Sequence, residues 1–270
     1  MTQVSDENTS DGADAEKTKF SVSVIIPTCD RPWAYLKIAI CSAANQSLRP
    51  KEIIVVDNGE FPVQPTELPE GVTIHRSKPR IGPSGARNIG ANQSTGTHLA
   101  FLDDDDWWDL EFLQEASKTL HESSTRCVYG RILQSRNDIL SEQENLTPET
   151  MTVSYLLRKN PGTGGINLLI EKRLFQQVGG FDEKLFVSED RALALEVLLV
   201  GEKIGFAPTA IAIARQHDGV NLRNNNARKI SFVLKYRRLM PISLFLRQFW
   251  KFGVRAHIRR IRKAAGGTQG

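Results

Sequence analysis

Two segments rich in Val and Ile near the N-terminus most constrain how this chain can fold. Residues 21–28 (SVSVIIPT) and 52–57 (EIIVVD) have the length and β-branched composition of buried strands, and residues 33–46 between them show apolar side chains at helical spacing. A strand, a helix and a second strand in this order form a βαβ unit with parallel strands. Because the strands are almost continuously apolar, helices are expected to cover both faces of the sheet. The sequence therefore predicts an α/β fold.

Further elements are predicted along the chain. Strands are expected at residues 72–75, 98–102, 126–133, 166–170 and 210–214. Helices are expected at residues 85–92, 108–122 and 171–178, and from Asp190 to Gly201, with a polar loop at residues 137–150. Open α/β sheets bind ligands at the carboxyl ends of their parallel strands, so polar residues just after these strands are candidates for a site.

Four consecutive aspartates, residues 103–106, follow the predicted strand at 98–102 and precede two tryptophans. Neighbouring carboxylates repel one another by about 1 kcal/mol per pair even in water, so the cluster indicates a counter-charge. Mg²⁺ or Mn²⁺ would suit it, because these ions bind carboxylate oxygens and take further ligands from water and substrate phosphates. The alternative is that the aspartates cap a helix, since Asp is favoured at helix N-termini.

Charge divides the chain into an acidic body and a basic tail. Residues 223–270 contain 13 Lys or Arg and no Asp or Glu, so with an overall net charge of +4 the first 222 residues carry −9. The first 19 residues are polar and acidic without apolar periodicity, which is typical of disorder. We therefore predict a disordered leader at residues 1–19, a globular domain at 20–222 and a basic helical tail at 223–270.

The basic tail has an amphipathic pattern. Apolar residues recur at helical spacing from Ile242 to Ala256, while Arg247, Lys251, Arg255 and Arg259 fall four apart on another face. Such a helix can lie at an anionic membrane surface, where each basic residue contributes about 1 kcal/mol. The alternative is that the tail packs on the domain with a solvated basic side; nucleic acid is an unlikely partner.

The remaining composition indicates an intracellular protein. The three cysteines form no CxxC pair or metal-ligand spacing, which is typical of a reducing compartment. The N-terminus is polar rather than a signal peptide, and no apolar run reaches the roughly 18 residues of a spanning helix. We expect a cytoplasmic protein, with the tail placing it at the inner face of a membrane.

Six segments, in order, resemble family 2 glycosyltransferases with the GT-A-type fold. They are VSVIIPTCDRP, EIIVVDNGE, GPSGARNIGAN, THLAFLDDDDWW, VGGFDEKLFVSED and the helix after it, which together cover about residues 20–218. The resemblance implies a Rossmann-like, mostly parallel sheet flanked by helices. It also implies a nucleoside-diphosphate sugar donor, a bound Mn²⁺ or Mg²⁺, and inversion at the anomeric carbon.

The same resemblance implies a nucleoside pocket. Asp57 would accept a hydrogen bond from the imide of uracil or thymine, which favours a UDP- or dTDP-sugar, and Arg87 would bind the base or the diphosphate. Pro27, Thr28 and Arg31 would line the pocket. Without the resemblance, Asp57 is explained as part of a turn and Arg87 as a charge on a helix surface.

The acidic run matches the family's DxD motif at residues 103–105. The match implies that Asp104 contacts the ribose and that Asp105 binds the metal between the two phosphates, with Asp103 and Asp106 as supports or caps. In some related enzymes a histidine after the last core strand supplies a further metal ligand, which here would be His217.

Asp190 is the predicted catalytic base. Glu189 and Asp190 match the family's ED motif, and an inverting transfer needs a base to accept the proton of the acceptor hydroxyl. The alternative is that Ser188, Glu189 and Asp190 cap a helix. Gly164 and Gly165 would allow the backbone to approach the donor sugar closely.

The sequence thus predicts a metal-dependent inverting glycosyltransferase that acts on a glycan or lipid-linked acceptor, as in cell-surface glycan synthesis. One alternative is a nucleotidyltransferase that makes sugar nucleotides, but this class would need a glycine-rich loop where the chain has TCDRP. A second is a non-catalytic scaffold that binds nucleotide sugars. The chain lacks the QxxRW segment of processive polymerases, which argues against polymer extrusion.

Overall fold

A computed structural model describes residues 19–137, 139–142, 146–216 and 229–255, which form one sheet of nine strands with eight α-helices. The strands are β1 (Val22–Thr28), β2 (Glu52–Asp57), β3 (Val72–Arg76), β4 (His98–Phe101), β5 (Trp107–Trp108), β6 (Cys127–Arg136), β7 (Ile139–Glu142), β8 (Leu168–Glu171) and β9 (Gly205–Arg215). The helices are α1 (Trp33–Ala44), α2 (Gly82–Gln93), α3 (Phe112–Glu122), α4 (Val153–Arg158), α5 (Lys172–Gln177), α6 (Glu189–Leu199), α7 (Ile230–Lys235) and α8 (Ile242–Phe249).

The sheet has a parallel half and a mixed half. Its strand order is β3-β2-β1-β4-β8-β6-β9-β5, with β7 paired to β6 outside this path. Strands β3, β2, β1 and β4 are all parallel, whereas β8 is antiparallel to both of its neighbours. Strands β6 and β9 are parallel, and β5 is antiparallel to β9. The predicted α/β class is confirmed, with more antiparallel pairing than the sequence indicated.

Strand register brings the predicted site residues to one edge. Thr28 at the end of β1 lies opposite Asp57 at the end of β2. On the other side of β1, Ile25 lies opposite Phe101, the last residue of β4. Residues 103–106 therefore follow β4 at the level where β1 and β2 end, which is the ligand-binding edge of a parallel sheet.

Helices cover both faces of the sheet, as the apolar strands predict. Val24 and Ile26 of β1 join one buried cluster with Leu36 of α1 and Leu113 of α3. The intervening Ile25 points to the opposite face, where the buried cluster includes Leu195 of α6. Successive side chains of a strand alternate between faces, so a strand buried on both must be apolar throughout.

The prediction that a helix begins at Trp108 is wrong. Trp107 and Trp108 form the short strand β5, which pairs with Ile213 and Ala212 of β9, and α3 begins only at Phe112. Trp108 is buried, donates from its indole Nε1 to the carbonyl oxygen of Ile166 at 2.6 Å and stacks on the Phe112 ring. Its role is packing.

The region predicted as a polar loop at residues 137–150 also contains structure. Strand β7 continues from β6 as a hairpin, and Pro148–Thr150 form a 3-10 turn. Residues 138 and 143–145 lie outside the described residues.

The described part of the basic tail packs against the domain on one side. Phe232 and Val233 of α7 join the same buried cluster as α6, and the Tyr236 hydroxyl donates to Glu196 at 2.8 Å. Within the described ranges, no helix combines the length and apolar character that crossing a membrane requires. The leader up to residue 18, residues 217–228 and residues 256–270 lie outside the description, so the predicted domain boundaries remain predictions.

Two glycines of α2 give a paired test of this packing. A Cβ atom at Gly90 would lie 2.5 Å from Cγ2 of Ile25 in β1, whereas a Cβ atom at Gly85 would meet Ile81 at an ordinary 3.4 Å. Gly90→Ala should lower the free energy of unfolding by about 1–3 kcal/mol, because β1 must move. Gly85→Ala should leave it unchanged or raise it by up to about 1 kcal/mol. Equal effects in urea denaturation would contradict the close approach of α2 to β1.

Candidate active site

Asp104 lies at the centre of the polar edge of the sheet. Its Oδ2 accepts a hydrogen bond from the Thr28 hydroxyl at 2.7 Å, and its Oδ1 accepts one from Nε of Arg31 at 2.9 Å. Burial raises the pKa of Asp104, while Arg31 and Thr28 act in the opposite direction. The structure thus brings together three of the predicted donor-binding residues, which come from the end of β1 and the turn after β4.

Arg31 bridges two carboxylates of the acidic run. Its Nη2 lies 2.9 Å from Oδ2 of Asp105, in addition to its bond with Asp104. Burial lowers the pKa of Arg31, but the charges of Asp104 and Asp105 outweigh this effect and raise it. The counter-charge that the run of aspartates required is therefore supplied in part by the protein itself.

Arg87 supplies a second, more deeply buried counter-charge. Its side chain is 3% exposed, and its Nη2 donates to Oδ1 of Asp103 at 2.5 Å. Its Nη1 lies 3.6 Å from Oε1 of Glu189 and 3.9 Å from Oδ1 of Asp190. Burial alone would lower the pKa of Arg87, but Asp103, Asp190 and Glu189 together raise it. The alternative interpretation of Arg87 as a surface charge is therefore wrong.

Two guanidinium nitrogens of Arg87 retain hydrogen-bonding capacity. Among the described residues, Nε and Nη1 have no hydrogen-bond partner, although both are buried. Gly165 lies directly against this group, since a Cβ atom there would be 3.1 Å from Cζ of Arg87. The absence of a side chain at Gly165 thus makes room for Arg87, and the close approach of the backbone to a donor sugar remains a prediction. Buried donors of this kind usually have a partner, which makes a bound anion a physically suitable one.

Asp190 reaches the site from the first turn of α6. Ser188, which immediately precedes α6, has a left-handed backbone with φ of 70°, and its side chain makes no capping hydrogen bond to the helix. The alternative in which Ser188 caps α6 is therefore wrong for its side chain. Non-glycine residues in this conformation are uncommon and concentrate at functional sites.

Asp57 is buried at the end of β2 and is fully engaged by the protein. It accepts hydrogen bonds from the backbone N–H groups of Gly59 at 3.0 Å and Val63 at 2.9 Å, and Arg76 lies 2.7 Å from its Oδ2. The bond to Gly59 is the turn that the sequence offered as the alternative. The contact between Asp57 and a uracil or thymine imide remains a prediction. Pro27 is buried within β1, opposite Val56.

Asp106 is buried and contacts the end of β9, so it supports the structure of the site. Its Oδ1 accepts from the backbone N–H of Arg215 at 2.8 Å, and the Arg215 guanidinium lies over the Trp107 ring at 4.8 Å. These contacts fix the end of β9 beside the acidic run. His217, the predicted further metal ligand, follows this strand but lies outside the described residues.

The sequence analysis missed Asn88, which joins α2 to the loop before α6. Its Nδ2 donates to the carbonyl oxygen of Phe181 at 2.9 Å, and its Oδ1 accepts from the Phe181 N–H at the same distance. Gly180 makes room for the side chain, because a Cβ atom there would lie 2.7 Å from Oδ1 of Asn88. Asn88 directly follows Arg87 within the motif GPSGARNIGAN, and this position in the sequence could have indicated that it belongs to the site.

The carboxylates suit a hard divalent cation, but they do not form a complete cage. Among residues 19–137, 139–142, 146–216 and 229–255, no group of three or more His, Cys, Asp or Glu side chains is arranged to hold a metal. The side chain of Asp105 is 17% exposed and presents carboxylate oxygens at the edge of the site. This donor set fits Mg²⁺ or Mn²⁺, which bind through one or two carboxylates and complete their shell with water and substrate phosphates.

Arg87 and Arg80 provide a matched test of the electrostatics. Both pair with carboxylates, but Arg87 is buried whereas the Arg80 side chain is 60% exposed. Arg87→Met should lower the free energy of unfolding by about 3 kcal/mol, because it leaves three half-buried carboxylates without their shared, buried counter-charge. Arg80→Met should cost no more than about 1 kcal/mol. Similar losses in chemical denaturation would show that the Arg87 cluster is not a buried ionic centre.

Curated relatives of this chain include several named as glycosyltransferases. One, an uncharacterized glycosyltransferase of Haemophilus influenzae, is 25% identical over 185 residues, covering 66% of this chain and 62% of the relative. Another, the GalNAc(5)-diNAcBac-PP-undecaprenol beta-1,3-glucosyltransferase of Campylobacter jejuni, is 31% identical over 135 residues, covering 45% of this chain and 41% of the relative. The chain thus spans less than two thirds of the length of either relative.

Solved structures share the fold. The structure of S. aureus TarS 1-349 in complex with UDP-GlcNAc has a TM-score of 0.61 at 18% identity, covering 86% of this chain and 73% of that one. GalNAc-T7 with UDP, GalNAc and Mn²⁺ also has a TM-score of 0.61, at 19% identity, covering 81% of this chain and 48% of that one. Similarity at this level of identity concerns the fold.

A sequence profile defines the family. Residues 23–179 match Glycosyl transferase family 2, a span that contains all of β1 except its first residue, the acidic run, Arg87 and Gly165. The resemblance recognised in the ordered motifs is confirmed by this match, by the named relatives and by the shared fold. This chain belongs to glycosyltransferase family 2.

Proposed function

We propose that this protein transfers a sugar from a nucleoside-diphosphate sugar to a hydroxyl acceptor, with inversion at the anomeric carbon and with Mn²⁺ or Mg²⁺ bound. One observation carries the proposal. Buried Arg87 contacts Asp103 after β4 and both Glu189 and Asp190 at the start of α6, so the acidic run and the ED pair flank one site. Their convergence supports a donor site and a base that act on the same substrate.

The donor diphosphate would lie beside the acidic run, next to the Arg87–Asp103 pair. Nε and Nη1 of Arg87, which make no hydrogen bond within the described residues, can donate to phosphate oxygens, as guanidinium groups do. Asp104 would contact the ribose, while Thr28 and Arg31 position it. The neighbours solved with UDP and with UDP-GlcNAc support a UDP- or dTDP-sugar as donor.

Asp105 would hold the divalent cation, with His217 as a further ligand after β9. The fold neighbour solved with Mn²⁺ and the carboxylate donor set support this assignment. When bound, the cation stabilises the negative charge that develops on the departing diphosphate. Arg31, paired with Asp104 and Asp105, and Arg87, paired with Asp103, would add fixed positive charge near the same group.

Asp190 would be the catalytic base. Its carboxylate would accept the proton of the acceptor hydroxyl while that oxygen attacks the anomeric carbon from the side opposite the diphosphate. The ion pair with Arg87 holds the first turn of α6 towards the site and offsets the cost of the left-handed backbone at Ser188. An in-line displacement needs the base and the leaving group on different sides of the anomeric carbon. Asp190 on α6 and a diphosphate beside the acidic run would meet this need from two different elements of the fold.

The acceptor would be a glycan or a lipid-linked saccharide handled at the cytoplasmic face of a membrane. The name of the Campylobacter relative specifies an undecaprenol-linked saccharide, which supports this class of acceptor. The nucleotidyltransferase alternative is disfavoured because the segment after β1 is folded back onto Asp104 through Arg31 rather than forming an open glycine-rich loop.

Asp190→Asn tests the base. It should lower the turnover of sugar transfer by about 10²–10⁴-fold, because the amide cannot accept the proton, while UDP binding stays within a few-fold of the wild type. Turnover is measured as nucleoside diphosphate released from UDP-, dTDP- or GDP-sugars with Mn²⁺ across a panel of acceptors. Glu196→Gln on the same helix, which pairs with Lys235 away from the site, is the control.

Two outcomes would contradict the proposal. Full turnover by the Asp190→Asn variant would remove Asp190 as the base. Binding of nucleotide sugars by the wild type without transfer to any acceptor would favour the scaffold alternative.

Arg31→Gln tests the cation site by binding alone. Because Arg31 pairs with the carboxylate of Asp105 at 2.9 Å, a cation must compete with it. Removing this charge should tighten Mn²⁺ binding by about tenfold in the absence of nucleotide, which corresponds to about 1.4 kcal/mol. Isothermal titration calorimetry measures this, with Arg80→Gln as the control because Arg80 pairs only outside the acidic run. Unchanged or weaker binding by Arg31→Gln would place the cation elsewhere.

A further inference from the structure

The C-terminal helix exposes a stripe of large apolar side chains. Ile242 and Leu246 of α8, together with Trp250 and Val254 of the π-helical turn that continues it, follow one another every four residues and are 78%, 58%, 55% and 40% exposed. Phe249 extends the stripe with a further exposed ring. Residues four apart lie on one face of a helix, so these side chains form a continuous apolar surface, which we call the α8 stripe.

The opposite side of α8 is fixed to the domain. Leu244 and Gln248 are buried, and Nε2 of Gln248 donates to the carbonyl oxygen of Leu157 at 2.7 Å. The preceding helix α7 is held by Phe232, whose ring lies 4.0 Å from the guanidinium of Arg191 in α6. The helix therefore cannot bury the α8 stripe by rotating without losing these contacts.

Positive charge borders the α8 stripe. Arg247, Lys251 and Arg255 each follow a member of the stripe by one residue and are exposed, and residues 229–255 contain no Asp or Glu. A pocket beside the helix is lined by Pro241, Ser243, Leu244 and two arginines, Arg158 and Arg247. In the described part of the chain, neither arginine forms an ion pair, so both guanidinium groups are available to an anion.

We propose that the α8 stripe and its basic border bind the surface of an anionic phospholipid membrane. The apolar side chains would enter the boundary between headgroups and acyl chains, while Arg158 and Arg247 contact a headgroup phosphate. A second copy of the chain fits less well, because two faces of the same positive charge would repel each other. Nucleic acid would complement the charge but would leave the apolar side chains in water.

The membrane surface would be rigidly coupled to the candidate active site through α6. This helix carries Asp190 at its first turn, and the next residue, Arg191, packs on Phe232 of the C-terminal segment. Burial lowers the pKa of Arg191 to about 10, and its Nε donates to the carbonyl oxygen of Leu156 in α4. A lipid-linked acceptor would therefore meet a site held at a constant height above the bilayer.

Vesicle flotation of the full-length protein tests the proposal. We expect at least tenfold stronger binding to phosphatidylcholine vesicles that contain phosphatidylglycerol than to phosphatidylcholine alone, with binding weakened by salt. The assay contains no sugar nucleotide or acceptor, so its outcome is independent of whether the protein transfers sugar. Equal binding to both vesicle types, or to neither, would overturn the proposal.

Paired variants identify the surface. Replacing Ile242, Leu246 and Trp250 together by Ser should weaken vesicle binding at least tenfold, and so should Arg247→Glu combined with Lys251→Glu. The matched controls are Ile38→Ser and the pair Lys37→Glu and Lys118→Glu, which alter exposed residues on α1 and α3 and should leave binding unchanged.

Thermal unfolding, light scattering and nucleic-acid binding distinguish loss of membrane binding from misfolding and from other partners. Unchanged thermal unfolding of each variant shows that the fold is retained, because all replaced side chains are exposed. A dimer that dissociates in the Ser variant, measured by light scattering, would assign the α8 stripe to self-association and overturn the proposal. Tight binding to nucleic acid in place of vesicles, lost in the Glu variant, would overturn it as well.

Discussion

The buried guanidinium of Arg87 is the interaction on which the rest of the site depends. Removing such a charge from water costs several kcal/mol, and only nearby carboxylates can offset this cost. Asp103 supplies one carboxylate from the end of the sheet, and Glu189 and Asp190 supply two from α6. Arg87 therefore determines where α6 can begin, and Gly165 gives it room to lie there.

Helix α6 connects the candidate active site to the C-terminal segment that carries the proposed membrane-binding surface. Its first turn contacts Arg87, which pairs with Asp103 of the acidic run, whereas Arg191 and Glu196 of the same helix contact the C-terminal segment. Sugar transfer and membrane binding would therefore share one rigid element. A soluble enzyme with a separate flexible anchor would need no such packing, and its tail would bury little apolar surface against the domain.

Much of the fold could be read from the sequence, because strong local patterns specify it. Strands β1 and β2 were predicted within one residue, since their apolar runs end at polar residues. Strand β5 was missed because two residues carry no periodicity, and their pairing depends on β9, about a hundred residues further along the chain. Asn88 was missed for the same reason, since its partner Phe181 is distant in sequence.

The sequence by itself determined the parallel half of the sheet, its polar edge and the family, because these depend on apolar periodicity and on motifs that are contiguous in the chain. Only the tertiary structure decided how the charges pair. Arg31 holds Asp104 and Asp105, and Arg87 holds Asp103 beside Asp190. Pairing energies depend on distance and burial, and both are set by the packing of segments that are far apart along the chain.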